Sequence, residues 1–339
     1  MTLEERIVAL GNLGDHLLGE DEYLEAVIQQ TYLKNLWFTT ENTKKSIRAI
    51  ATEFLNEKKL RSFAAHYKLD DNIKSVRVGL IMAGNIPLVG FHDFLCVFLC
   101  GHHAMVKLSE KDAYLFPYFV KLLDRYDDRA SSIISVVNKL SDFDAVIATG
   151  SNNSARYFNS YFEKYPHIIR KNRNSIAVLD GKESPKKLDA LAHDILNYFG
   201  LGCRNVSKIY IPKDYDFNPL METIHEYKKI ILHGKYKNNF DYNFAIASLN
   251  SQEIVMNGCL ILLEDTSLTS RIASLHYEFY EDRDVLNKHL NSIADQIQCL
   301  VATDAVPGFN ITPFGKTQEP GLYDYADGVD TVNMLLSVG

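Results

Sequence analysis

Apolar positions along this chain recur with two periods, and the switches between them mark its elements. Ile47, Ile50, Ala51, Phe54 and Leu55 keep helical spacing. After Asn72 the pattern becomes a strand-like run over 76–82, closed by Ala83-Gly84-Asn85, with a helix expected after Pro87. The alternation continues with a strand over 104–108, a helix near 113–123, a short strand around 133–137 and a buried strand over 144–148 ending in Thr149-Gly150-Ser151. Residues 152–162 predict a helix with Ala155, Phe158 and Phe162 on one face. Strands alternating with helices predict an α/β fold with a mostly parallel, doubly wound sheet.

Past this region a strand over 175–179 runs into Asp180-Gly181-Lys182, and a helix over 185–197 carries the chain to Cys203. Runs at 207–211, 244–247, 260–263 and 298–302 predict the strands of a second α/β domain. The tail is a polar, turn-rich loop over 312–322 followed by a strand-like 331–335, and such loops commonly serve sites or interfaces.

Composition narrows the class. The 339 residues are 46% hydrophobic and 23% charged with net charge −7, which describes a soluble globular chain long enough for two domains. No apolar run approaches the roughly 20 residues of a membrane span, and Met1-Thr2-Leu3-Glu4-Glu5-Arg6 reads as the start of an acidic amphipathic helix rather than a signal peptide, so a cytoplasmic location is expected. The acidic balance disfavours nucleic acid as a partner. Cys96, Cys100, Cys203, Cys259 and Cys299 are odd in number and scattered, which fits neither a disulfide framework nor a zinc site. The histidines lack metal-ligand spacing, adjacent His102 and His103 facing opposite sides of a strand, so no metal is expected.

Cys203 stands apart because Gly200-Leu201-Gly202 precedes it and Arg204 and Lys208 follow. Glycines let backbone approach a substrate closely, and nearby cations favour thiolate. A cysteine before a strand also serves as ordinary packing.

In this order the segments resemble the aldehyde dehydrogenase superfamily. Gly84-Asn85-Ile86-Pro87 resembles its Asn-x-Pro turn, Lys107-Leu108-Ser109-Glu110 its Lys-Pro-Ser-Glu, and Thr149-Gly150-Ser151 its phosphate turn. Gly200-Leu201-Gly202-Cys203 with Ser207-Lys208 resembles the nucleophile segment, and Pro313-Phe314-Gly315-Lys316 with Gly321-Leu322 the C-terminal loop. Within the superfamily the chain is similar to the acyl-CoA reductase branch that includes the fatty acid reductase subunit of bacterial luminescence. The resemblance implies a Rossmann-type cofactor domain with N-terminal helices over 1–183, a catalytic domain over 184–305 and a return segment over 306–339 whose last strand pairs in a homo-oligomer.

It also implies roles. Cys203 attacks the carbonyl of an acyl-CoA or acyl-protein thioester, and the acyl group is reduced to aldehyde with NADPH or NADH. An acyl-transferring protein is a possible partner. Asn85 and the Cys203 N–H stabilise the oxyanion, single donors of this kind being worth about 2.7–4 kcal/mol. Gly150 and Ser151 open a helix whose amides receive pyrophosphate, although Ala155 replaces a family glycine and Ser151 serves equally as a plain helix cap. Lys107 and Glu110 lie at the adenosine ribose, where a carboxylate disfavours a 2′-phosphate and leans towards NADH. Glu253 corresponds to the nicotinamide-ribose glutamate, and Phe314 packs near the nicotinamide.

The family's Glu-Leu-Gly-Gly-Lys aligns with Val178-Leu179-Asp180-Gly181-Lys182, so Val178 occupies the place of the water-activating glutamate. Without that base an acyl-cysteine survives long enough to be reduced. Two other readings share the fold: reduction of an acyl phosphate, and a non-catalytic relative that only binds cofactor.

Overall fold

The computed structural model describes the backbone of residues 1–339 and every side chain except that of Asn152. It divides into two compact units, one formed by Met1–Asn172 with Pro320–Gly339 and the other by Arg173–Glu319. Among the described residues no helix is long and apolar enough to cross a membrane.

The first unit holds a parallel sheet of β1 (Arg77–Ile81), β2 (His103–Lys107), β3 (Ile134–Val136), β4 (Ala145–Thr149) and β5 (His167–Arg170) in the order β3-β2-β1-β4-β5. Its strands are nearly continuous apolar runs, as a sheet covered on both faces demands. The helix Phe91–Leu99 is buried on every side, and the rings of Phe91, Phe94, Phe98, Phe116 and Phe119 stack edge to face or tilted within the core. Each such ring contributes about 1.5–3 kcal/mol by leaving water. Cys96 and Cys100 on this helix are core packing, and burial pushes the Cys100 thiol up to about 12. The N-terminal helix Leu3–Leu18 begins with a reciprocal bond pair between Thr2 and Glu5, and its apolar face packs on the same core.

The second unit holds β6 (Asn174–Val178), β7 (Val206–Pro212), β8 (Ile254–Met256), β9 (Ile261–Glu264), β10 (Ser274–Tyr280), β11 (Ile297–Ala302) and β12 (Ile311–Thr312), ordered β12-β11-β6-β7-β10-β9-β8. All pairings are parallel except β8 with β9.

Three expectations differ from this structure. The boundary falls after Asn172 rather than after residue 183, because β6 pairs with β7 and β11. Residues 244–247 are not a strand but part of the helix Gly234–Leu249, in which Tyr236, Asn243 and Ala247 fall on one buried helical face. The expected C-terminal strand over 331–335 is the helix Thr331–Val338, started by Asp330, whose side chain accepts the Asn333 N–H. Thr331, Val332 and Leu335 are buried on it, so the pairing strand imagined for a homo-oligomer does not exist. The strands β5, β8, β10 and β12 lie where no strand is expected from the sequence.

Candidate active site

Five of the residues singled out in the sequence meet at one edge of the first sheet. β1 pairs with both β2 and β4, so Ile81 lies opposite Lys107 on one side and Ala148 on the other. The turn bearing Asn85, the segment Lys107 to Glu110 and the turn Gly150-Ser151 therefore leave the carboxyl ends of three adjacent strands. The strand order reverses here, the place where open α/β sheets form ligand crevices. Ser151 caps the helix Asn152–Phe162 by accepting the Ser154 N–H at 3.2 Å, and that helix turns its first amides towards the same edge.

The Asn85 turn is held from below. Gly84 is needed there: a Cβ at this position would lie 2.5 Å from Ser109 Oγ. Asn85 itself is exposed. Ser46 Oγ donates to the Pro87 carbonyl at 2.8 Å, and the Leu88 N–H donates to Asp112 Oδ2 at 2.6 Å. That bond holds Leu88 at φ +58°, a left-handed conformation that a branched residue adopts only under constraint. Asp112 is 6% exposed, its Oδ1 has no partner among the described residues, and burial pushes its carboxyl up to about 6 although the Leu88 bond opposes this.

A carboxyl near 6 in the folded chain and near 3.9 when unfolded binds its proton more tightly in the fold. Its contribution is fully present below about pH 4 and is lost as pH rises through about 6, a change of about 3 kcal/mol. Asp112→Asn is expected to raise the thermal midpoint at pH 8 and to leave it nearly unchanged at pH 4. Calorimetry at the two pH values checks this, and an equal gain at both would contradict it.

In the second unit Cys203 sits on a loop fastened at both ends. The helix Pro185–Leu196 ends in three successive left-handed residues, Tyr198, Phe199 and Gly200, which turn the chain sharply. Asn205 then fixes the return: its Oδ1 accepts the Gly202 N–H at 2.8 Å, and its Nδ2 donates to the carbonyls of Asp194 at 3.0 Å and Asn197 at 2.8 Å. Ser175 Oγ donates to the Cys203 carbonyl at 3.0 Å, tying the loop to β6. Cys203 is half-buried, whereas Cys96, Cys100, Cys259 and Cys299 are buried.

The same helix end holds the Phe314 loop. Asp194 is fully buried, and its carboxylate accepts the N–H of Gly315 at 2.7 Å, the N–H of Thr317 at 3.1 Å and the Thr317 hydroxyl at 2.8 Å. Burial outweighs these donors and lifts its carboxyl above the ordinary range. Phe314 packs, half-buried, against the core of this unit with Lys187 Nζ 5.7 Å from its ring centroid. Cys203 and Phe314 are thus mounted on one support.

Other expected groups lie elsewhere. Lys208 is fully buried in β7, where its ammonium bonds Glu278 at 2.6 Å and the Thr266 carbonyl at 2.8 Å; it is a structural ion pair. Glu253 is exposed just before β8, at the far edge of the sheet from β7 and beyond the end of β8 where Ile254 pairs with Leu263. The structure does not bring it to the Cys203 loop. Val178 is 1% exposed in an apolar cluster with Ile176, Tyr210 and Leu300.

Asp112, Asp194, Asn205 and Thr317 were not singled out in the sequence. A signal existed for one: Asp194 shares a helix face with Leu188, Leu191 and Ile195, and a carboxylate among core positions calls for partners.

Comparison with known proteins places these features. The profile of the family described as acyl-CoA reductase (LuxC) matches residues 27–230, more than half of the chain. The chain is 24% identical over 192 residues to long-chain acyl-protein thioester reductase 2 of Photobacterium leiognathi, covering 51% of this chain and 40% of that protein. It is 23% identical over 240 residues to long-chain acyl-protein thioester reductase of Vibrio harveyi, covering 64% of this chain and 50% of that protein. The chain thus spans about half the length or less of these curated relatives. In three dimensions it is similar to an NAD-dependent aldehyde dehydrogenase from Sinorhizobium meliloti, with TM-score 0.67 and 13% identity over 90% of this chain and 71% of that one. The strand order and the profile match agree: the chain is built on the aldehyde dehydrogenase fold and belongs to the acyl-CoA reductase (LuxC) family.

Proposed function

We propose that this protein reduces an acyl thioester to an aldehyde by way of an acyl group carried on Cys203. The observation that carries the reading is that one cysteine of five escapes the core, and it stands on a loop whose backbone is immobilised by Asn205 and Ser175. A nucleophile must be reachable and held in place. The names of the relatives supply the substrate class, an acyl-CoA or an acyl group on a protein thiol.

The Cys203 sulfur adds to the thioester carbonyl, the carbonyl electron pair moves to oxygen, and collapse of the adduct expels the donor thiol. The Cys203 N–H is assigned to the oxyanion, and the resemblance to the family gives Asn85 Nδ2 the role of second donor. Val178 leaves no carboxylate at the position where aldehyde dehydrogenases activate water, so the acyl-cysteine is protected from hydrolysis. A nicotinamide dinucleotide suits the edge formed by Lys107, Glu110, Gly150 and Ser151, and when bound it supplies the hydride that reduces the acyl group. Exposed Glu110 favours a free ribose hydroxyl over a 2′-phosphate, hence NADH over NADPH.

Incubation with long-chain acyl-CoA in the absence of reductant, followed by mass spectrometry, tests the scheme. The tryptic peptide 188–204 holds Cys203 as its one cysteine. We expect the acyl mass on that peptide and its discharge when NADH is added. An unmodified peptide with both short and long acyl donors would falsify the proposal.

A further inference from the structure

The loop that follows Phe314 sets one more polar group against the residue before Cys203, the side chain of Gln318. Its Nε2 is buried and has no hydrogen-bond partner among the described residues. Gly202 is where it arrives: a Cβ built on Gly202 would lie 3.4 Å from Gln318 Nε2 and 3.6 Å from its Oε1. The carboxamide therefore rests on the bare main chain immediately before Cys203.

Both sides of this contact are anchored. Asp194 holds Gly315 and Thr317, the residue just before Gln318, while Asn205 holds Gly202 and bonds the Asp194 carbonyl. Removing a buried amide from water without giving it a partner is unfavourable, so a position this firmly fixed needs a reason. A preorganised donor kept unoccupied for a developing charge supplies one.

Resting on the reading of Cys203 as the nucleophile, we propose that Gln318 is a further catalytic residue, whose Nε2–H donates to the acyl carbonyl oxygen as the Cys203 sulfur adds to the carbonyl carbon. The carbon–sulfur bond to Cys203 forms, the carbonyl electron pair becomes the oxyanion, and the bond to the donor thiol breaks as that pair returns. Gln318 keeps its protons throughout. A side chain at Gly202 would press on Asn205 Oδ1 at 3.0 Å and meet the carboxamide at 3.4 Å, so the glycine keeps this approach open.

The test uses Gln318→Met, which keeps the volume and removes the donor, and Gln318→Glu, which keeps the shape and places an acceptor or negative charge there. Acylation of Cys203 by acyl-CoA is followed in a single turnover, alongside thermal unfolding. Gln318→Met is expected to slow acylation about 10²–10³-fold, with the half-saturating acyl-CoA concentration little changed and the thermal midpoint equal or higher. Gln318→Glu is expected to slow it at least as much. Acylation at the wild-type rate in the methionine variant overturns the proposal, as does a lowered midpoint, which would identify Gln318 as a structural bond. Wild-type protein that accepts no acyl group is a different outcome and removes the reading of Cys203 itself.

Discussion

Alanine in place of Cys203 is expected to abolish reduction of acyl thioesters, with a loss of at least about 10⁴-fold, because no other group on the loop can form the covalent adduct. The fold is expected to survive. Two bonds that fasten the loop run through its backbone, the Cys203 carbonyl to Ser175 and the Gly202 N–H to Asn205, and alanine preserves both. The change in unfolding free energy should stay below about 1 kcal/mol. Cys259→Ala is the matched control. That thiol is buried in the same unit, and burial pushes it up to about 11, so its removal leaves a small cavity without touching the acylation rate. Aldehyde formation with NADH, compared across the two variants and the wild type, decides the matter. A Cys203→Ala protein retaining more than about 1% of the wild-type rate would rule out the acyl-cysteine route.

The second large effect concerns stability. Arg170 at the end of β5 is 2% exposed and grips Asp93 through two bonds, Nη2 to Oδ1 at 2.6 Å and Nε to Oδ2 at 3.1 Å. The same guanidinium donates to Thr331 Oγ1 at 2.8 Å and to the Ala326 carbonyl, which fastens the C-terminal helix to β5 within the first unit. Burial alone would raise the Asp93 carboxyl; the charge and hydrogen bonds of Arg170 overcome it and hold the carboxyl below its ordinary value. A depressed carboxyl contributes stability that is present above about pH 4 and is lost as the solution becomes more acidic.

Asp93→Ala should therefore cost about 3–5 kcal/mol at pH 7, because the guanidinium is left buried and unpaired. The thermal midpoint should fall on the order of 10 °C. Hydrogen exchange should show residues 320–339 opening first. Replacing both partners, Asp93→Leu with Arg170→Met, removes the stranded charge and should restore much of the loss. Strictly additive losses in the double variant would show that the pair is not the coupling element.

Much of the first unit was legible beforehand. A buried parallel strand must be apolar at nearly every position, so the runs ending at Ile81, Lys107 and Thr149 announced themselves, as did the turns that follow them. The meeting of Asn85, Lys107, Glu110, Gly150 and Ser151 at one edge follows from strand order alone. Residues 331–335 were a different case: a short apolar segment satisfies either period, and only the Asp330 cap together with Thr331 bonded to Arg170 selects the helix. The run 244–247 failed for the same reason, its neighbours Tyr236 and Asn243 revealing the helical face only once buried. Lys208 looked like a cation for the thiolate by proximity in sequence. In a strand, however, side chains point alternately to opposite faces, and its face carries it to Glu278.

By itself, then, the sequence determined the alternation of strands and helices, the turns at the first sheet's edge and the reactive residue types, since each depends on side-chain polarity and backbone preference within a few residues. Only the tertiary structure decided what holds Cys203 in position. Asp194, Asn205 and Thr317 come from segments up to about 120 residues apart, and their bonds exist because burial removes the water that would otherwise satisfy each group.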